Sequence, residues 1–302
     1  MIVHLLHHQI DRAAWDRRLA ASANAAWYGT AAALDAAAPG WNALVDDSTG
    51  SQMPLTWRRK YGIAYLFQPI MVQHLGPYSP SPAPAEARRF LQALPKLYRY
   101  ADICLLGDTP GPLLGIHQEI RMNHVLDLGG TAAAIRSGYS TNHRRNLRKL
   151  ENSGSRVERQ VDAGVVLAFI EGSGQLARWH LDAGRKATMG RIMKATEGQG
   201  TGFGRMVIGA QGPLAAGWFV RGPREVVFLK GISNAQGRGL GAMHALIDDV
   251  ITEFAASGSI LDLAGGNDPQ LARFYAGFGA RPVPYFRALM NRLPPVIRYL
   301  KP

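Results

Sequence analysis

Eighteen residues from Asn234, NAQGRGLGAMHALIDDVI, set three glycines and an arginine directly before a stretch patterned as a helix. Gln236, Gly239 and Gly241 fit Q-x-x-G-x-G. In such a run the absent side chains let backbone N–H groups and the positive end of the following helix meet phosphate oxygens, as the pyrophosphate of coenzyme A would require. Gln236, Gly237, Arg238, Gly239, Leu240, Gly241 and Ala242 are therefore the candidate cofactor-binding residues, with Arg238 supplying a charge-assisted contact. A second chemistry fits the same letters: Gly237, Gly239 and Ala242 satisfy G-x-G-x-x-A, and Asp262 follows where a dinucleotide's ribose-binding acid belongs. That fingerprint belongs after the first strand of a parallel unit, whereas hairpin-spaced strands precede it here. The plainest reading is an ordinary strand-to-helix turn.

The elements around the loop are legible. Residues 205–210, 214–220 and 225–233 read as three strands joined by glycine and proline turns. Residues 242–256 read as a helix whose Met243, Leu246, Ile247, Val250, Ile251 and Phe254 share one face. A buried strand (SILDLAG), a helix capped by Asp268 (DPQLARFYAGFG) and a last strand (VPYFRALMN) follow. In the alanine-rich first half, residues 12–24 read as a helix, Pro80, Pro82 and Pro84 mark a loop, and residues 85–98 resume helical periodicity. YGIAYLF, ADICLLG and NHVLDLGG read as strands, so the class is α+β. The basic segment from Thr141 to Asn152, closed by Gly154, reads as a helix dividing two domains.

At 302 residues with 47% hydrophobic and 19% charged, the chain has the length of two cores, and its net charge of +12 favours anionic partners. Its one cysteine, Cys104, excludes an internal disulfide and a cysteine zinc site, and reads as a small buried hydrophobe. No run approaches 18 apolar residues, and the first residues lack the pattern of a cleaved leader. The expectation is a cytoplasmic chain without membrane insertion.

Other candidates are thinner. Asp262, Asp268, Glu197 and His180 are the possible general bases. His4, His7 and His8 have metal-ligand spacing but no nearby carboxylates, so no metal is expected. Arg144, Arg145, Arg148 and Lys149 lie on adjoining faces of the basic helix and could clasp an anionic acceptor or RNA. Trp179 and Arg185 are where acceptor specificity would first be sought.

The loop QGRGLG together with NDPQLARFYAGFGARPV resembles the GNAT superfamily of acyl-CoA N-acyltransferases. In that pattern an asparagine, a tyrosine and a glycine stand at Asn267, Tyr275 and Gly279, although Ala280 replaces the usual following aromatic. The resemblance implies an acyl-CoA co-substrate such as acetyl-CoA, with Asn267 added to the cofactor residues. It implies oxyanion donation by the N–H groups of Gly231 and Ile232 on a splayed strand, and Tyr275 as proton donor to the leaving thiolate. WNALVDDSTGSQMPLTWRRKYGIAYLFQPIMVQHLG, YSTNHRRNLRKLENSG, AMHALIDDVI, LARFYAGFGA and NRLPPVIRYLK look like a group of bacterial tandem-GNAT proteins, similar to the Fem family, which moves amino acids from aminoacyl-tRNA onto peptidoglycan precursors. Ala264 stands where such proteins often carry an acid.

These resemblances imply two GNAT-like domains, residues 1–130 degenerate and 131–302 binding acyl-CoA, each a mostly antiparallel sheet flanked by helices. The expected function is N-acylation of an amine acceptor by direct attack on the thioester. The alternatives are a Fem-like transferase using aminoacyl-tRNA and a non-catalytic binding protein. The donor site belongs to the second domain alone, because LGDTPGPLLG, the nearest comparable stretch before Gly154, carries prolines that remove phosphate-binding donors.

Overall fold

The computed structural model describes residues 1–173 and 182–294, which form two compact units: residues 1–122 with 284–294, and residues 123–283. The division falls between Met122 and Asn123 rather than near residue 130, and the chain from Pro284 onward returns to the first unit. The basic helix, expected as the divider, lies inside the second unit.

In chain order the elements are β1 (Ile2–Leu5), α1 (Arg12–Ala20), α2 (Ala31–Ala37), β2 (Asn42–Asp46), β3 (Ser51–Leu55), β4 (Trp57–Lys60), β5 (Ile63–Phe67), α3 (Pro84–Gln92), β6 (Tyr98–Leu106), β7 (Ile116–Asp127), α4 (Ala132–Ser137) and α5 (Thr141–Glu151). There follow β8 (Arg156–Val161), α6 (Ala163–Gly172), α7 (Ala183–Gly198), β9 (Gly202–Gly209), β10 (Gly212–Arg221), β11 (Glu225–Ser233), α8 (Ala235–Leu240), α9 (Ala242–Phe254), β12 (Ile260–Asp262), α10 (Pro269–Ala276) and β13 (Arg281–Asn291). Side-chain caps fix several helix starts: Asp11 accepts from Ala13 and Ala14, Ser140 from His143, and Asp268 from Gln270 and Leu271 ahead of a proline that needs no donor. Helix α3 stops at Gln92 rather than running to Tyr98. Pro95 lacks an N–H and disfavours helical backbone in the residue before it, which frees Tyr98 to begin β6.

In the first unit β1, β2 and β3 form an antiparallel sheet, while β4, β5, β6 and residues 285–291 of β13 form another in which β5 and β6 run parallel. Trp41, Tyr28, Tyr98 and Phe90 are fully buried between these sheets and their helices.

In the second unit β8, β9, β10 and β11 form an antiparallel meander, and β12 pairs parallel with β11 and antiparallel with residues 125–127 of β7. Helix α9 buries Leu246, Ile247, Val250 and Ile251 against Val207, Leu214, Phe219 and Phe228 of the sheet. Helix α7 covers the other face, where the Trp218 indole donates to Thr196 Oγ1 at 3.1 Å. Among the described residues no helix is long and apolar enough to cross a membrane.

Candidate donor-binding cleft

Strand β11 keeps company with β12 for only three residues, Glu225 opposite Ile260, Val226 opposite Leu261 and Val227 opposite Asp262. From Phe228 to Ser233 it continues beside β10 alone. The departure coincides with a bulge: Trp218 pairs with Lys230 and Phe219 with Phe228, so Leu229 is the extra residue that bends the strand. The two parallel strands therefore open a wedge. A cavity of ≈ 320 Å³ lies against the free end of β11, lined by Gly231, Ile232 and Ser233, by Gly237, Arg238 and Gly241 of the following turn, by Met243 and His244 of α9, and by Leu271 and Phe274 of α10.

The glycine stretch is not an open loop but the six-residue helix α8. Asn234 holds it at both ends of its amide: Oδ1 accepts from the Gly237 N–H at 2.7 Å, and Nδ2 donates to the Pro213 carbonyl at 2.9 Å. Each glycine then has its own reason. A Cβ on Gly237 would run into the carbonyl of Leu214. Gly241 joins α8 to α9 in the left-handed region, φ 74°, and a Cβ there would stand 2.8 Å from the Cβ of Asn146 on α5. Gly239 meets nothing within 4 Å, while its carbonyl accepts from Lys149 Nζ at 2.6 Å. Folding thus accounts for Gly237 and Gly241; only Gly239 is left open to solvent with no protein contact to explain it.

Of the residues singled out from sequence, Gly231, Ile232, Gly237, Arg238 and Gly241 meet around this cavity. Arg238 also donates to the Ser233 carbonyl at 2.8 Å. Gln236 and Gly239 are exposed on α8, Leu240 packs against the core, Ala242 is fully buried, and Asn267 is exposed ahead of the Asp268 cap; none of the five lines the cavity. Tyr275 is also not among the lining residues. Helical spacing puts Leu271 and Phe274 on the cleft side of α10 and turns Tyr275 into the core, its ring 5.9 Å from that of His124. Burial and the neighbouring charge of Asp262 raise its hydroxyl pKa, keeping it protonated.

The carboxylates considered as bases carry structural hydrogen bonds. Asp262 accepts from Asn123 Nδ2 at 2.8 Å and from the Ala264 N–H at 2.7 Å, Asp268 caps α10, and Glu197 accepts from the Ala163 N–H at 2.7 Å. His180 and Trp179 lie outside the described residues; Arg185 sits in the first turn of α7, 4.0 Å from Asp182. His7 is held between the Trp41 carbonyl at 2.9 Å and Arg12 at 3.0 Å. Among the described residues no three His, Cys, Asp or Glu stand close enough to hold a metal. Cys104 is buried, and desolvation pushes its thiol up to about 11.

Two titratable groups beside the cleft, and a third on the other face of β11, escape the sequence reading. His143 and His244 face each other with ring centroids 4.5 Å apart, His143 Nε2 lying 2.8 Å from the Phe274 carbonyl. Burial lowers both pKa values, that of His244 to about 4 with the charge of His143 adding to the effect. Lys230 shares its face of β11 with Trp218, the face that meets α7, while the Cβ position of Gly231 looks toward Met243 of α9. Desolvation lowers the Lys230 pKa to about 8. The one sequence signal was a lone lysine inside the apolar strand VVFLKGIS.

No family model matches the chain, nor does any curated protein. Among solved structures, the crystal structure of FemX superposes with a TM-score of 0.69 at 11% identity, covering 99% of both chains. A tandem GNAT protein from the clavulanic acid biosynthesis pathway gives 0.56 at 14% identity, covering 97% of this chain and 99% of that one. L-PGS from Bacillus licheniformis gives 0.51 at 11% identity over 85% of each. The fold is the α+β tandem GNAT-like, Fem-like fold along its full length.

Proposed function

We propose that the second unit is the working half of an acyl-CoA-dependent N-acyltransferase, with the donor's acyl arm in the wedge between β11 and α10 and its pyrophosphate at α8. The observation that carries this reading is the open parallel pair. Beyond Val227 the free edge of β11 has no β12 partner, and alternation in an antiparallel ladder directs the N–H of one of the adjacent residues Gly231 and Ile232 away from β10. Such a donor is suited to the oxygen of a tetrahedral intermediate. The apolar wall of Ile232, Met243, Leu271 and Phe274 suits a flexible, mostly uncharged arm.

The transfer needs an unprotonated acceptor amine, whose lone pair attacks the thioester carbonyl as the C–S bond breaks and the thiolate leaves with a proton. Asp262, Asp268 and Glu197 carry structural hydrogen bonds, His244 lines the cavity, and Lys230 directly precedes Gly231 on the α7 face of β11. His244 is too weakly basic for this task, whereas Lys230 titrates close to the pH of the cell. We assign proton acceptance on the acceptor side to Lys230. Tyr275, turned into the core, is a weaker candidate for proton donation than its sequence spacing suggests. The test is a calorimetric titration with acetyl-CoA and CoA, followed by incubation of acetyl-CoA with amine acceptors and thiol detection. Saturable binding and amine-dependent thiol release are expected.

One observation favours a second donor. Helix α5 carries four basic residues, of which Lys149 touches α8, and the Fem-like resemblance implies aminoacyl-tRNA. Stabilisation of the fold by aminoacyl-tRNA and not by any acyl-CoA would select it.

A further inference from the structure

Helix α5 is bound to the glycine turn by two contacts that the turn's sequence does not reveal. Asn146 fills the space that a side chain on Gly241 would need, and Lys149 Nζ donates to the Gly239 carbonyl at 2.6 Å. The buried residues of α5, His143 and Leu150, fix its inner face, so Asn146 and Lys149, one turn apart, form the edge that meets α8. Arg145 and Arg148 are exposed on the outer side next to that edge.

Charge distinguishes this helix from its surroundings. Several other arginines of the second unit are neutralised: Arg136 by Asp248 at 2.5 Å, Arg159 by Asp249 at 2.8 Å and the fully buried Arg205 by Asp249 at 2.9 Å. Among the described residues Arg144, Arg145, Arg148 and Lys149 have no carboxylate partner. Arg145 reaches only the Asn142 side-chain oxygen at 3.1 Å, and Arg144 only the Ser137 carbonyl at 3.4 Å. With Arg238 on the other side of the turn, cations flank Gly239, the glycine whose missing side chain no protein contact explains. A cluster of unneutralised cations raises the local potential and repels itself unless an anion joins it.

We propose that Arg145, Arg148 and Lys149 form a second phosphate subsite of the donor cleft, one that binds a phosphomonoester on the nucleotide end of the donor beyond its pyrophosphate. The proposal rests on the acyl-CoA reading above, and CoA differs from 3′-dephospho-CoA in that one group. Arginine's planar fork suits a phosphate dianion, and Lys149, held at the Gly239 carbonyl, adds a fixed charge between the two subsites.

The experiment is calorimetric titration of the full chain with CoA and with 3′-dephospho-CoA at low ionic strength, where exposed charges are least screened. Wild type is expected to prefer CoA by about tenfold. The double substitution Arg145→Ala with Arg148→Ala is expected to bring that ratio to about one while leaving the affinity for 3′-dephospho-CoA unchanged. Equal affinity of the wild type for the two ligands overturns the subsite and leaves the donor reading standing. Binding of neither ligand overturns both. If CoA and 3′-dephospho-CoA bind alike while a short RNA acceptor stem loses affinity in the double variant, the proposal falls and α5 belongs to RNA.

Discussion

Among the described residues each unit contains one parallel strand pair with a helical crossover, α3 in the first and α8 with α9 in the second, and the two pairs end differently. In the first unit β5 stays with β6 to its last residue, Phe67 opposite Asp102. The next positions along β6 are then covered: the Gln68 side chain accepts from the Cys104 N–H at 2.8 Å, the Cys104 carbonyl accepts from Leu75, and the Leu106 N–H donates to Gly76. In the second unit it is the first strand of the pair, β11, that runs on past its partner beyond Val227, and a cavity lies against its free end. The same supersecondary unit is closed by its own chain in one half and left open in the other. A parallel pair becomes a binding cleft when the strand's free N–H groups are left for a ligand, and stays structural when its chain spends them on itself.

The contrast can be broken from either side. Gly237→Ala should have the largest effect, because the new methyl group meets the Leu214 backbone rather than a movable side chain; a loss of about 1–3 kcal/mol in chemical denaturation is expected, with loss of CoA binding. Gln68→Ala leaves the Cys104 N–H without its partner and should cost about 1 kcal/mol while leaving CoA affinity intact, since it touches only the closed pair. A change in CoA affinity there would argue against the separation of roles.

Lys230 sharpens the comparison through pH. Its folded pKa of about 8 lies below the ordinary 10.5, so the folded chain binds fewer protons than the unfolded one between those values, and stability rises with pH across that window. At pH 7 the full desolvation penalty applies. Lys230→Met should therefore raise the melting temperature at pH 7, with the gain fading toward pH 10.5; a gain independent of pH would place the lysine in water. The smallest effect expected is that of Arg238→Ala, an exposed cation partly screened by salt, at about twofold to fivefold in CoA affinity.

Much of the second unit could be read from its letters because period and punctuation agreed. Strand β11 occupies 225–233 as expected, α9 begins at Ala242, and Asp268 caps α10. What escaped has physical causes. Two glycines among its six residues hid α8, which forms because Asn234 caps it and α5 packs on it. The roles of Gly237 and Gly241 depend on Leu214 and Asn146, partners distant in sequence. Tyr275 and Phe274 are adjacent letters, and one residue of helical rotation decides which of them meets the cleft. Lys230 carries no motif; its meaning comes from a bulge and a register that only the folded sheet defines.

The open pair as a donor site is tested most directly at Gly239, where a side chain has room to exist without disturbing the fold. CoA would be titrated calorimetrically into wild type and Gly239→Asp, with a melting curve for each. The result expected is one site per chain in the wild type and at least about tenfold weaker binding in the variant, roughly 1.4 kcal/mol, at a nearly unchanged melting temperature. A folded Gly239→Asp chain that binds CoA as the wild type does, or a wild type that binds two equivalent CoA molecules, would contradict it.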